Sequence, residues 1–246
     1  MSGADDLFKG FERAYLEEIE KLGGGRCLWP EPYTELTYEK LLSFVHNCVY
    51  TREDISGDPT PLPQKDYIDW YVYYWLLTKQ TGQPLIVEKS RRLIISWLTR
   101  ALELYCAGLK SGSALIADQV FARSQDHVWR TWYIYDQLRR NFPEWKLGDP
   151  FTYGPIMDDR LDSLILPNGS RIGSINQDPK SFRGRGITEA VLEEGSAYDQ
   201  LANVWSEVRK ITMGVPGKTR GHTVIIANAS ANPDWLELKT MEKMAA

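Results

Sequence analysis

Cysteine is scarce in this chain. Only Cys27, Cys48 and Cys106 occur in 246 residues, unclustered and odd in number. That excludes a disulfide-stapled scaffold and offers no thiolate metal spacing, so a reduced intracellular setting is the simplest expectation. Long apolar runs are missing too. None approaches the ~18–20 residues of a membrane span, and the first residues carry no signal-peptide pattern, so no membrane partner is expected. Positive charge is not in excess. The formal net charge of −4 excludes a basic nucleic-acid coat. Contact with DNA would have to come from a local patch or a ring of subunits. Internal repeats and low-complexity tracts are also absent.

What is present is ordinary globular material. Hydrophobic residues make up 43% and charged residues 25%, enough over this length for a substantial core in one large or two small domains. Nine tryptophans and thirteen tyrosines are many for the length, and large aromatic core and interface residues are the plain explanation.

Residues 5–22 have helical spacing (Leu7, Phe8, Phe11, Tyr15, Ile19, Leu22) and stop at Gly23-Gly24-Gly25. A short helix is predicted from Thr37 to about Asn47. Asp58-Pro59-Thr60-Pro61-Leu62-Pro63 has the composition of a linker or rigid turn. These features predict a small helical N-terminal appendage over residues 1–60 and a main domain over 61–246. In that domain helices are expected at Lys65–Lys79, Ile94–Leu109, Gln119 to about Asn141, and Leu201–Ile211, with a short helical tail over Trp235–Ala246. Strands are expected at Pro84–Glu88, Ser113–Ala117, Ala190–Glu193 and Thr223–Asn228. Leu161–Leu166 and Arg171–Ile175 flank Pro167-Asn168-Gly169-Ser170, a hairpin signal. Short continuous apolar strands between helices predict an α/β fold, a mainly parallel sheet covered on both faces, with an added antiparallel hairpin. Ligands of such sheets sit beyond the strand C-termini.

Three segments would emerge there. Lys89-Ser90-Arg91-Arg92-Leu93-Ile94-Ile95-Ser96 follows a strand and opens a helix, the context of a phosphate-binding loop. Against G-x-x-x-x-G-K-[ST], Lys89 takes the first glycine's place, Ile94 the second's and Ile95 the lysine's, and only Ser96 matches. Lys89, Arg91 and Arg92 could supply the missing cation, and Ser96 the hydroxyl for Mg²⁺. The plainer alternative is a basic turn with solvated arginines. Next, Ala190-Val191-Leu192 ends in Glu193 and Glu194, the arrangement by which nucleotide hydrolases hold Mg²⁺ and orient water. Two solvated acids at a strand end is the alternative. Last, Thr223–Asn228 runs into Asn228-Ala229-Ser230, small polar residues able to reach a γ-phosphate or simply to turn the chain. Arg183, among glycines and eleven residues before Glu194, could be presented to a neighbouring subunit's γ-phosphate, or be a surface arginine. Gln64 precedes the first helix of the main domain, and its amide offers both a donor and an acceptor to adenine.

With these residues in view, the chain resembles the ATPase domain of the large terminase subunit, the DNA-packaging motor of tailed bacteriophages. The likeness runs from about Leu62 to Asp234 and is most specific in SFRGRGITEAVLEEGSAY. It implies a P-loop fold of the RecA/ASCE type, ATP and Mg²⁺ as cofactors, and ATP hydrolysis driving double-stranded DNA into a procapsid. Gln64 would read adenine. The loop from Lys89 to Ser96 would bind the nucleotide, with Lys89, Arg91 and Arg92 sharing the phosphates. Ser96 and Glu193 would hold the metal, Glu194 would polarise water, and Arg183 would be a trans-acting arginine finger. Asn228 and Ser230 would couple hydrolysis to movement. A homo-oligomeric ring, the portal protein and the small terminase subunit are the implied partners, and the host cytoplasm, transiently the portal vertex, the implied location. Arg139, Arg140, Arg209, Lys210, Lys218 and Arg220 are candidates for DNA phosphate contact. The chain departs from the family pattern in lacking the loop's second glycine and its lysine, and in having Glu193 where Asp is usual. The family's C-terminal nuclease domain has no counterpart after Asp234. A helicase-like translocase, or a non-hydrolysing adaptor docking on the portal, are the alternatives.

Overall fold

The computed structural model describes residues 26–53, 56–90, 94–154, 161–183, 187–212 and 221–244. The helix expected over residues 5–22, the loop residues Arg91, Arg92 and Leu93, and the cations Lys218 and Arg220 lie outside them. Nine strands are described: β1 (Tyr50–Arg52), β2 (Pro59–Pro61), β3 (Leu85–Lys89), β4 (Ser113–Ala117), β5 (Phe151–Tyr153), β6 (Ser163–Ile165), β7 (Arg171–Ile175), β8 (Glu189–Glu193) and β9 (His222–Asn228). The described α-helices are α1 (Tyr38–Cys48), α2 (Asp66–Thr81), α3 (Ile95–Leu109), α4 (Phe121–Asn141), α5 (Leu201–Thr212) and α6 (Pro233–Met244).

Seven strands form one sheet in the order β3-β9-β8-β4-β7-β6-β5. The first five run parallel; β6 and β5 are added antiparallel. The expected mainly parallel sheet is therefore present. Alternation along the strands sends residues to opposite faces. Ile116, Val191, Val224 and Ile226 join one apolar cluster with Leu98, Leu102, Val128 and Ile134 of α3 and α4. Ala190, Leu192, Ile225 and Ala227 join another with Val204, Trp205 and Val208 of α5 and Trp235 of α6. Helices cover both faces, as expected. The first cluster also takes in Trp29, Leu41 and Phe44, so residues before α2 share the main core. Trp29 donates from Nε1 to the Tyr105 carbonyl at 2.7 Å.

Local chemistry sets the boundaries. Thr37 caps α1 by accepting from the Lys40 amide. α2 ends at Gly82, whose φ of +68° favours glycine. The expected hairpin joins β6 and β7, with Gly169 at φ +84°. Its turn also closes α3: Asn168 Nδ2 and Ser170 Oγ both donate to the Ala107 carbonyl, at 2.7 and 2.6 Å. The segment read as a linker or rigid turn contains β2, which pairs antiparallel with β1 through Thr51↔Thr60 and Arg52↔Pro59. Prolines are tolerated in such a short two-stranded ribbon because both its edges are free of a larger ladder. β1 and β5 were not legible as strands at three residues each. Among the described residues no helix is long and apolar enough to cross a membrane.

Candidate nucleotide site

The order of the sheet positions the site. β3, β9 and β8 are successive neighbours, and all point the same way. Lys89 pairs in register with Asn228, while Glu193 pairs with Ile226 two residues earlier. Lys89, Asn228 and the two acids therefore leave the sheet at one edge. Ser96, in the first turn of α3, comes back over it.

Direct contacts tie these residues together. Ser96 Oγ donates to Glu193 Oε2 at 3.0 Å. Lys89 Nζ is 3.6 Å from Glu194 Oε1. Asn228 Nδ2 donates to Glu194 Oε2 at 2.6 Å, and the Asn228 carbonyl accepts from Ser196 Oγ at 3.0 Å. Glu194 sits at φ +54°, a left-handed conformation rare for a residue with a Cβ. The turn that follows is tight, since a Cβ on Gly195 would lie 2.7 Å from Ile225 Cγ2. Ser230 accepts from the Asn232 amide, and Asn232 Oδ1 accepts from the Asp234 amide at the start of α6. These are turn and capping roles.

The acids open onto a cleft of about 820 Å³, lined among others by Lys89, Ile94, Ser96, Trp97, Glu193 and Glu194. Its far wall brings in residues that were not singled out in the sequence: Arg52 from β1, and Asp118, Arg123, His127 and Arg130 from the tip of β4 and from α4. Asp118 could have been found, because it follows the apolar run Ser113–Ala117 as Glu193 follows its own. His127 gave no signal. It is buried between two carboxylates, with Nε2 3.5 Å from Asp118 Oδ2 and Nδ1 3.8 Å from Glu193 Oε1. Burial pushes its imidazole down to about 3, against the pull of Glu193, so it is neutral at ordinary pH. Burial also raises the Asp118 carboxyl, although the Val120 amide donates to it.

Other predicted residues fall elsewhere. Ser90 is exposed and Ile95 is buried against the core. Gln64 is exposed beside Pro63, which lines the cleft, but Gln64 itself does not. Arg183 is exposed and lines a different groove, where it lies 3.4 Å from Glu207 Oε1. Lys210 meets the same oxygen at 2.9 Å. Of the remaining surface cations, Arg139 pairs with Asp149, Arg140 with Asp136 at 2.7 Å, and Arg209 lies over the Trp205 ring.

The fold and its polar edge define an α/β protein with a polar cleft beyond the C-termini of a mainly parallel sheet. No family model and no curated protein sequence matches the chain. Solved structures do. The large terminase of bacteriophage HK97 superposes with a TM-score of 0.59 at 12% identity, over 86% of this chain and 42% of that one. The chain thus spans less than half the length of that relative. The ATPase domain of the large terminase of Thermus phage P74-26 and a variant of it align less closely. Their TM-scores are 0.45 and 0.44 at 14% identity, over 63% and 61% of this chain and 62% of each of theirs. The likeness to large terminases drawn from the sequence is borne out at the level of the fold.

Proposed function

We propose that this chain is the ATP-hydrolysing domain of a large terminase subunit, driving double-stranded viral DNA into a procapsid. The observation that carries the reading is the convergence of Lys89, Ser96, Glu193, Glu194 and Asn228 at three neighbouring strand tips, each in contact with another. The shared fold supports it.

The residues present suit Mg²⁺. Ser96 and Glu193 offer hard oxygen ligands, and Glu193 Oε1 is buried with no hydrogen-bond donor among the described residues. Among the described residues no group of three or more His, Cys, Asp or Glu side chains gathers as a metal site. That fits an ion which takes one or two protein oxygens and fills its shell with phosphate and water. When bound, it would draw charge from the phosphate oxygens. Lys89, with Arg91 and Arg92, holds the phosphates. Glu194 orients the attacking water, and Asn228 holds Glu194 in place for that task. Gln64 reads the base from the rim. Arg183 lines a groove other than its own cleft and serves the site of the next subunit in a ring. Asn228 and Ser230 pass the change at the phosphate to α6 through the Asn232 cap. In this reading the ring works in the host cytoplasm at the portal, with the portal protein and small terminase subunit as partners.

Steady-state ATP hydrolysis by the wild type, by Glu194→Gln and by Lys89→Ala tests the reading. Turnover should fall by a factor of about 10² or more in the glutamine variant, while nucleotide affinity holds. Lys89→Ala should weaken nucleotide binding. Equal turnover in wild type and Glu194→Gln would leave the non-hydrolysing adaptor.

A further inference from the structure

Ser96, Arg100 and Glu103 are spaced i, i+4 and i+7 on α3 and share one face of it. Glu189, Val191 and Glu193 alternate onto one side of β8. The two rows meet inside the core. The Arg100 side chain has no exposure; its Nε is 2.8 Å from Glu103 Oε2 and its Nη2 is 3.8 Å from Glu193 Oε1.

We propose that Arg100 is a positioning residue for Glu193, fixing the acid from within the core while Ser96 holds its other oxygen. The inference rests on the reading of the cleft as a Mg²⁺–ATP site.

A carboxylate placed in the core calls for a cation beside it, because burial strips away its water. The other nearby lysines are committed: Lys79 lies 2.8 Å from Glu189, and Lys89 pairs with Glu194. His127 reaches the same Glu193 oxygen from α4, at 3.8 Å. Arg100, without exposure, is a cation set against Glu193 from the core side. A guanidinium suits the place because different nitrogens meet two acidic side chains at once, which a compact ammonium does not do. Glu103 braces it on the far side.

The contact with Glu193 is one of charge. Among the described residues, none forms a hydrogen bond with any of the three Arg100 side-chain nitrogens or with Glu193 Oε1. The acid is held in place while the lone pairs of that oxygen remain unspent. A purely structural ion pair would use them up; an acid that must accept a further ligand needs them free.

The test uses the whole chain with Arg100→Gln and Arg100→Lys. Two quantities are measured: the Mg²⁺ concentration giving half-maximal ATP turnover, and the affinity for a ribose-labelled fluorescent ATP with Mg²⁺ or with EDTA. Arg100→Gln should raise the half-maximal Mg²⁺ concentration at least tenfold and leave affinity in EDTA within twofold. Arg100→Lys should recover part of the loss. A merely structural role would lower affinity equally with and without Mg²⁺, and that result overturns the proposal. So does an unchanged Mg²⁺ dependence in a folded Arg100→Gln. If the glutamine variant does not fold, Arg100→Lys decides: a shift of threefold or more supports the role, and no shift overturns it. A wild type that binds no ATP in either condition sinks the nucleotide site and this inference with it. Mg²⁺-dependent binding that ignores Arg100 sinks this inference alone.

Discussion

Asn228 donates from Nδ2 to Glu194 Oε2 across 2.6 Å, joining the tip of β9 to the tip of β8. A neutral amide can fix a carboxylate without cancelling its charge, which a lysine in the same place would do. Lys89 is further off, at 3.6 Å from the other oxygen. A hydrogen bond to a charged group contributes roughly 1.5–3 kcal/mol, so Asn228→Ala should lower kcat about 10- to 100-fold. Nucleotide affinity should change little, because Asn228 acts on the acid. Asn228→Asp should be worse than the alanine variant, since it sets a second carboxylate against Glu194. Single-turnover hydrolysis by the three proteins at saturating ATP checks the order; an aspartate variant as active as wild type would count against the arrangement.

Glu194 pays for its position in backbone strain, at φ +54°. A left-handed residue with a Cβ costs roughly 1–2 kcal/mol more than glycine there. At most sites Gly→Ala stabilises by about 0.4–1 kcal/mol. Here the order should reverse: Glu194→Gly should be more stable than Glu194→Ala by about 1 kcal/mol, while both fail to hydrolyse ATP. Urea unfolding of the pair measures this. An alanine variant that is the more stable of the two would show that the strand tip relaxes.

Glu103 gives the chain a pH signature. Burial pushes its carboxyl up to about 8, although Arg100 pulls the other way. Between the ordinary carboxyl value of 4.5 and about 8, the folded chain keeps a proton that the unfolded chain has released. Stability from this group is therefore lost as pH rises through that window and levels off above it. Glu103→Gln cannot titrate. The variant should gain on the wild type in urea midpoint between pH 5.5 and pH 8.5. His127 contributes with the opposite sign, because its folded value of about 3 lies below its ordinary 6.5. Its effect falls below pH 6.5 and is common to both proteins, so the comparison isolates Glu103. Parallel midpoints across the range would show that Glu103 is ionised throughout.

Much of this was legible in the chain, and the limits are physical. The parallel strands announced themselves because they are buried on both faces and read as runs such as Ser113–Ala117. Glu193 and Glu194 stood out because acids interrupt such a run at its end. Asn168 and Gly169 marked their hairpin by turn chemistry, but the second task of Asn168, closing α3 together with Ser170, depends on tertiary contact. β1 and β2 were illegible because three residues carry no periodicity, and two of those in β2 are prolines. Arg100, Glu103 and His127 lie in helices whose spacing looks like ordinary amphipathic sequence. Only the packed structure shows that their polar face turns inward, toward β8. Asp118 was within reach, one residue past a strand already assigned.

Arg183 leads to the sharpest test of assembly. It lies outside the cleft of its own chain, exposed and 3.4 Å from Glu207. The Glu207 carboxyl is lowered chiefly by its hydrogen bond from Lys210, which outweighs its partial desolvation, with Arg183 assisting. An arginine acting in cis would have to leave this partner and cross to the cleft. One acting in trans needs only a neighbour. Arg183→Ala and Glu194→Ala should each abolish most hydrolysis in assembled rings. Mixed in equal amounts, they should regain activity, because a subunit with an intact Glu194 can then adjoin one with an intact Arg183. In random assembly about one interface in four has that pairing, which sets the expected recovery near a quarter of the wild-type rate. Arginine supplied in cis predicts no recovery at any ratio, since no subunit in the mixture has both groups. Hydrolysis measured across a series of mixing ratios, with assembly followed by sedimentation, separates the two.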